Sequence, residues 1–187
     1  MDDTEVTKTR EEALELLDQS QKADALDRVW QPLDNRDNDA RLWELRGRIL
    51  TNLKMHLEAV RSYDRALELD PLEDLLPYIW NNRGISLFAL ERYEEAKVAF
   101  SEASRRKWKY LPQAFNNRGL ALMKLDHPID ALKDFEKAAQ SEPTFPEAFN
   151  NRGQAFECLG KLPEALASYN KALQQHRTQL PAPLQPN

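Results

Sequence analysis

The sequence predicts an all-α protein built from repeated antiparallel helix pairs. Four of its five glycines recur at separations of 37, 35 and 34 residues: Gly47, Gly84, Gly119 and Gly153. An alanine follows each of these glycines after twelve residues, and the spacing within a repeat never changes. Extra residues fall only between repeats, which is typical of a helical repeat array. Five glycines in 187 residues are also too few for a β fold with many tight turns.

Composition limits the class of protein further. Charged residues make up 30% of the chain, the mean hydropathy is -0.72, and no segment is apolar enough to span a membrane. The N-terminus has no apolar signal-peptide core, and the one cysteine, Cys158, cannot form an internal disulfide. We therefore expect a cytoplasmic protein without membrane insertion. A net charge of -5 argues against nucleic acid as a partner.

The second predicted repeat shows how each repeat forms two helices. Trp80, Gly84 and Leu87 lie at i, i+4 and i+7, so they share one face of a first helix. A glycine within a helix costs about 1 kcal/mol relative to alanine, but it lets a second helix approach that face closely. Residues 91–93 then supply the turn, and residues 94–105 form the second helix.

The same pattern locates the other repeats along the chain. We predict four repeats, at residues 40–71, 77–110, 112–145 and 146–177. Residues 10–39 are predicted to be a degenerate helix pair, broken at Pro32, because they keep part of the 34-residue spacing. Residues 1–9 are predicted to be a flexible tail. Residues 178–187 contain three prolines and are predicted to be an extended tail.

These repeating residues resemble the tetratricopeptide repeat (TPR) family. The matching pattern is a bulky residue, a small residue, and then an alanine, an aromatic residue and another alanine. In the second repeat these are Trp80, Gly84, Ala96, Phe100 and Ala103. The resemblance implies a right-handed superhelical solenoid of antiparallel helix pairs. It also implies a non-catalytic scaffold or adaptor that binds other proteins. The chain departs from the family at the residue before each glycine, which is arginine instead of leucine.

An Asn-Asn-Arg-Gly motif occurs in three of the predicted first helices. Asparagine is a poor helix former, so paired asparagines in mid-helix favour a role in binding. First helices line the concave face of a TPR-like stack, where amides can grip an extended or partly helical peptide segment. The predicted groove residues are Asn81, Asn82, Ile85, Phe88, Asn116, Asn117, Leu120, Met123, Asn150 and Asn151. The alternative is that they are hydrated or belong to the core between repeats.

Arginines add positive charge to the same helices. The predicted groove therefore also includes Arg48, Arg83, Arg118 and Arg152. Such a groove would attract an acidic peptide. The alternative is that the arginine stems pack between helices while their head groups bond to neighbouring repeats.

No residue pattern points to catalysis. The histidines lack Cys, Asp or Glu at metal-ligand spacing, and no Gly-rich phosphate loop is present. We therefore expect no enzyme activity, no metal and no cofactor. Two alternatives to the scaffold function stay open, an RNA-binding helical-repeat protein and a regulatory subunit of an enzyme complex.

The last repeat has no recognisable helix after it. Leu159, Leu166 and Leu173 are therefore expected to be less covered than their counterparts in earlier repeats. Exposed apolar patches commonly mark association sites. Either the segment from Leu180 to Leu184 covers this face, or the chain forms a weak homodimer through the last repeat.

Overall fold

The computed structural model of the protein describes residues 3–35, 39–105 and 111–179. Every regular element in these ranges is an α-helix, so the predicted all-α fold class is confirmed. None of these helices combines the length and the apolar character that crossing a membrane requires. The chain divides into two compact units, Met1–Arg106 and Lys107–Asn187.

The first unit contains three consecutive helix pairs in its described part. They are α1 (Asp3–Asp18) with α2 (Lys22–Asn35), α3 (Ala40–Asn52) with α4 (His56–Glu68), and α5 (Leu76–Ala89) with α6 (Tyr93–Ser104). Apolar residues of α1, α2 and α3 form one buried cluster, and those of α3, α4 and α5 form another. Each pair therefore shares its core with the next pair, which is how helical repeats are stabilised.

The second unit contains two helix pairs in its described part. They are α7 (Leu111–Lys124) with α8 (Pro128–Ser141), and α9 (Pro146–Cys158) with α10 (Leu162–Gln179). Phe149 of α9 packs against Ala138 and Ala139 of α8, while Ala155 packs against Phe135. The helix that begins each new pair thus covers the second helix of the pair before it.

One turn geometry joins the two helices of every pair. The second residue before the second helix has a positive φ in each turn, as at Glu91, where φ is 61°. The Glu91 N–H donates to the carbonyl of Phe88 and the Arg92 N–H to that of Leu87, both at 3.0 Å. This Schellman arrangement satisfies two carbonyl groups at the end of the first helix. The five positions are Ser20, Lys54, Glu91, Asp126 and Gly160.

The repeated glycines lie where the two helices of a pair come closest. A Cβ atom added at any of them would stand 2.5 or 2.6 Å from an aromatic ring of the second helix. The pairs are Gly47 with Tyr63, Gly84 with Phe100, Gly119 with Phe135, and Gly153 with Tyr169. The close helix packing predicted from the glycine spacing is confirmed.

The N-terminal helix pair differs from the prediction in two places. Helix α1 begins at Asp3, so residues 3–9 are not a flexible tail. Val6 and Thr9 are buried one turn apart, because this side of α1 packs against the next helices and outweighs the polar composition. Helix α2 also continues through Pro32 to Asn35. The proline ring holds φ near the helical value, so the chain keeps its helical path although Pro32 has no N–H to donate.

The C-terminal boundary is also corrected. Helix α10 continues to Gln179, so residues 178 and 179 belong to this helix and not to an extended tail. The other residues of the predicted tail, 180–187, lie outside the described residues, as do residues 106–110 at the end of the second predicted repeat.

Replacing Gly119 by alanine should destabilise the second unit. The new methyl group would lie 2.5 Å from the ring of Phe135, which is fully buried and has no room to move. We expect a loss of about 1–3 kcal/mol in the free energy of unfolding, measured by urea denaturation. Gly153→Ala is the matched control, because Tyr169 is only partly buried and can turn outward. Equal losses in the two variants would contradict this explanation.

Candidate functional site

The arginine before each repeated glycine lies over an aromatic ring. Each guanidinium carbon is 5.3–5.6 Å from the centroid of the ring three residues earlier, a cation–π distance. The pairs are Arg46 with Trp43, Arg83 with Trp80, Arg118 with Phe115, and Arg152 with Phe149. Helical geometry produces these contacts, because residues three apart are neighbours on a helix surface.

The same arginines also bind polar side chains of second helices. Arg118 donates to both carboxylate oxygens of Asp134, at 2.6 and 2.7 Å. This bond raises the pKa of Arg118, although partial burial opposes the rise. Arg152 donates from Nε to the Ser168 hydroxyl at 3.1 Å, again to the residue sixteen positions later. Arg46 makes the equivalent bond to Ser62.

The second repeat uses a different partner for its arginine. The residue sixteen positions after Arg83 is Ala99, which cannot accept a hydrogen bond. Arg83 instead donates from Nε to Asp64 Oδ1 of the preceding repeat, at 2.6 Å. Every one of these four arginines is therefore committed to contacts between helices. Of the two roles considered for Arg83, Arg118 and Arg152, these contacts favour packing between helices over the attraction of an acidic ligand.

Replacing Arg118 by leucine, the residue usual in the TPR family, should destabilise this chain. Asp134 is only 4% exposed, so its carboxylate would lose its partner in a buried place. We expect a loss of about 3 kcal/mol in chemical denaturation, and recovery of most of it in the double variant Arg118→Leu/Asp134→Leu. Arg83→Leu should cost about 1 kcal/mol or less, because its partner Asp64 is 44% exposed. A double variant no more stable than Arg118→Leu would argue against this ion pair.

The first repeat carries a buried carboxylate at the place of the first asparagine in the motif. Glu44 is 2% exposed, and its Oε2 has no hydrogen-bond partner among the described residues. Burial raises the pKa of Glu44 above its ordinary value of 4.5, while Arg48 and Arg10 oppose the rise. Arg48 Nε lies 3.7 Å from Glu44 Oε1, so this predicted groove arginine already faces a carboxylate of its own helix.

The stability of the chain should therefore depend on pH through Glu44. The folded chain holds this proton more tightly than the unfolded chain, so stability falls as the pH rises from about 4.5 through the folded pKa. Glu44→Gln should remove this fall and stabilise the chain at neutral pH. Urea denaturation of both forms between about pH 4 and 8 measures the difference. Parallel pH profiles would show that Glu44 does not cause the dependence.

Apart from Arg48 on α3, the predicted groove residues of the first unit lie on α5. Asn81 and Asn82 are half-buried, and the Asn81 amide donates to Asn82 Oδ1 at 3.5 Å. Ile85, one turn later, is 37% exposed and can contact a ligand. Phe88 packs edge-on against Tyr93 of α6, with ring centroids 5.2 Å apart, so it belongs to the contact within the pair.

The asparagines of the second unit have divided roles. Asn116 is buried, and its Oδ1 accepts a hydrogen bond of 2.8 Å from Nδ2 of Asn151 on the next first helix. Two amides of the predicted groove therefore bind each other across neighbouring repeats. Asn117 is half-buried, and Asn150 is the exposed member of these four asparagines.

A trough of about 560 Å³ lies between α7, α9 and α10 in the second unit. Its lining includes four predicted groove residues, and α10 adds an apolar wall of which the sequence indicated only the exposure of Leu173. Met123 is not part of the lining, and both it and Leu120 pack against the core around Phe135. The lining residues are Asn116, Leu120, Pro146, Glu147, Asn150, Asn151, Tyr169, Ala172, Leu173 and His176.

The α10 wall was missed because second helices were assigned to the core. Tyr169 aligns with Tyr63, Phe100 and Phe135, which are all buried, yet it is partly exposed and bonds to Glu157 Oε2 at 2.9 Å. The only signal in the sequence was the absence of a recognisable helix after the last repeat. No group of three or more potential metal ligands was found among the described residues.

Comparison with known sequence families decides the family. Two family models, each described as "Tetratricopeptide repeat", match residues 40–71 and 77–107 and residues 146–178, together just over half of the chain. The chain is a tetratricopeptide repeat protein. The resemblance predicted from the repeating residues is confirmed, although no curated protein matches this TPR chain.

Solved structures with the same fold include other TPR proteins. MamA from Desulfovibrio magneticus RS-1 is similar with a TM-score of 0.81 at 18% identity, over 92% of this chain and 96% of that one. PilF of Pseudomonas aeruginosa gives 0.80 at 20% identity, over 90% and 75%. YrrB, described as "a TPR protein with an unusual peptide-binding site", gives 0.73 at 20% identity, over 89% and 84%. At such identities the likeness shows the fold alone.

Proposed function

We propose that this TPR protein is a non-catalytic interaction scaffold that binds a peptide segment of a partner protein on its first helices. The observation that carries the proposal is the trough of the second unit. It joins the exposed amide of Asn150 to an apolar wall, and such a combination suits a peptide whose backbone is hydrogen-bonded and whose apolar side chains are buried.

Asn150 is the residue of the trough best placed to bind a ligand. It aligns with Asn116, whose oxygen accepts the amide of Asn151 from the following first helix. In α9 the same position is exposed and lines the trough. By analogy, the side-chain oxygen of Asn150 can accept a peptide N–H, as the oxygen of Asn116 accepts the Asn151 amide. The Asn150 amide can also donate to a peptide carbonyl.

The apolar wall of α10 can bury an apolar side chain of the ligand. Leu173 is 60% exposed, and Tyr169 and Ala172 lie beside it on α10. An apolar ligand side chain on this wall gains about 25 cal/mol per Å² of apolar surface removed from water. The lining residues contain Glu147 and no lysine or arginine, so we propose an apolar and amide-binding peptide and no acidic one.

The relatives are consistent with this proposal at the level of the fold. YrrB is described as having a peptide-binding site, and TPR proteins as a family bind other proteins. We place the protein in the cytoplasm as part of the same proposal. The exposed thiol of Cys158 fits a reducing compartment.

The test compares two asparagine substitutions in the full chain. Peptides of twelve residues selected on the chain from a phage-displayed library serve as the probe, and binding is measured by calorimetry. Asn150→Ala should weaken binding by about 0.5–1.5 kcal/mol without lowering the melting temperature, because one hydrogen bond to the ligand is lost. Asn170→Ala is the matched control, since Asn170 is exposed on α10 outside the trough lining.

Two outcomes would contradict the proposed site. Selected peptides that bind Asn150→Ala as tightly as the unchanged chain would place the ligand elsewhere. Failure to select any peptide, repeated with the protein immobilised at either end, would remove the peptide-binding function itself.

A further inference from the structure

Helix α10 presents an apolar stripe that no described helix covers. Leu162, Leu166 and Leu173 are 63%, 62% and 60% exposed, and Tyr169 lies in the same row. The four residues are spaced by four, three and four positions, which places them on one face of the helix. The counterparts of Leu166 and Leu173 in other pairs include Val60 and Ala139, which are 4% and 6% exposed.

The exposure at α10 has a specific cause. On α8, the aligned face is covered by α9, which follows it in the chain. No described helix follows α10 and performs this role. The predicted exposure of Leu166 and Leu173 is thus confirmed, whereas Leu159 is half-buried like its counterparts Leu53 and Leu90.

We infer that this face is covered by α10 of a second copy of the chain, packed antiparallel on the first. A stripe spaced four, three and four reads the same in both directions, which is the symmetry that a two-fold interface requires. Two such helices packed antiparallel place Leu162 opposite the Leu173 of the second copy and Leu166 opposite its Tyr169. Each of the four layers of the seam then contains a leucine, and two of them also contain the ring of Tyr169.

The charges on α10 permit this pairing. Between Leu162 and Gln175 the helix has only two charged side chains, Glu164 and Lys171. Both lie two positions away from the nearest leucine of the stripe, on the side that faces away from it. The positions beside the stripe on its exposed edge are Pro163 and Asn170, which are uncharged. No like charges therefore meet across the seam, and antiparallel helix dipoles attract each other.

The interface is small, so the dimer is expected to be weak. A single pair of helices lies at the low end of specific protein interfaces, and we expect a dissociation constant of about 10–100 µM. Tyr169 and Leu173 also line the trough, so a second copy covers one trough wall. If the proposed peptide site is correct, peptide binding and dimerisation compete; the dimer itself does not depend on that proposal.

The first test measures self-association of the full chain without any peptide. Sedimentation between about 1 and 300 µM should show a monomer–dimer equilibrium. Leu166→Asp should weaken the dimer at least about tenfold, since a carboxylate would enter an apolar layer. Ile129→Asp is the matched control, because Ile129 is 61% exposed on α8 of the same unit and should leave the dimer unchanged.

The second test fixes the pairing geometry by disulfide cross-linking in a Cys158→Ser background. A mixture of Leu162→Cys and Leu173→Cys chains should cross-link to a dimer on oxidation, while each variant alone should not. Cross-linking of each variant with itself would mean parallel helices and overturn the antiparallel pairing. A chain that stays monomeric at all concentrations, or an equal effect of Ile129→Asp and Leu166→Asp, would overturn the proposed dimer.

Discussion

The close approach of two helices at a glycine is the constraint on which the rest of this structure depends. Each aromatic ring of a second helix fills the space that a side chain would take on the first helix. Because the ring needs a fixed partner, the twelve-residue interval from glycine to alanine and the four-residue interval from alanine to the ring cannot vary. In the four pairs with a glycine, the Schellman turn has a length that brings glycine and ring together.

The arginine beside each glycine shows how the chain accommodates a charge at an interhelical position. The guanidinium lies on an aromatic ring and binds a hydroxyl or carboxylate of a second helix, so its charge is satisfied within the protein. Where the usual partner position holds Ala99, Arg83 uses Asp64 of the preceding repeat. These side chains stabilise the stack of pairs, and the surface left for ligands consists of amides and apolar groups.

The second unit brings together the features relevant to binding, because no helix among the described residues follows its last pair. The same absence exposes Asn150, opens the trough and uncovers the α10 stripe. A peptide in the trough and a second copy on α10 therefore draw on adjoining surfaces. The proposed peptide binding and the proposed self-association would be linked through Tyr169 and Leu173 for this geometric reason.

The sequence by itself determined the helix pairs, their spacing and the glycine–ring contacts, because these depend on intervals along the chain. It also indicated that Leu166 and Leu173 lack cover. Only the tertiary structure decided that Asn151 binds Asn116, that Arg118 pairs with Asp134, and that α1 begins at Asp3. These outcomes depend on which side chains neighbouring helices bring within hydrogen-bond distance or remove from water. Intervals along the sequence show which residues share one face of a helix. The packing of helices decides which residues of a neighbouring helix they contact.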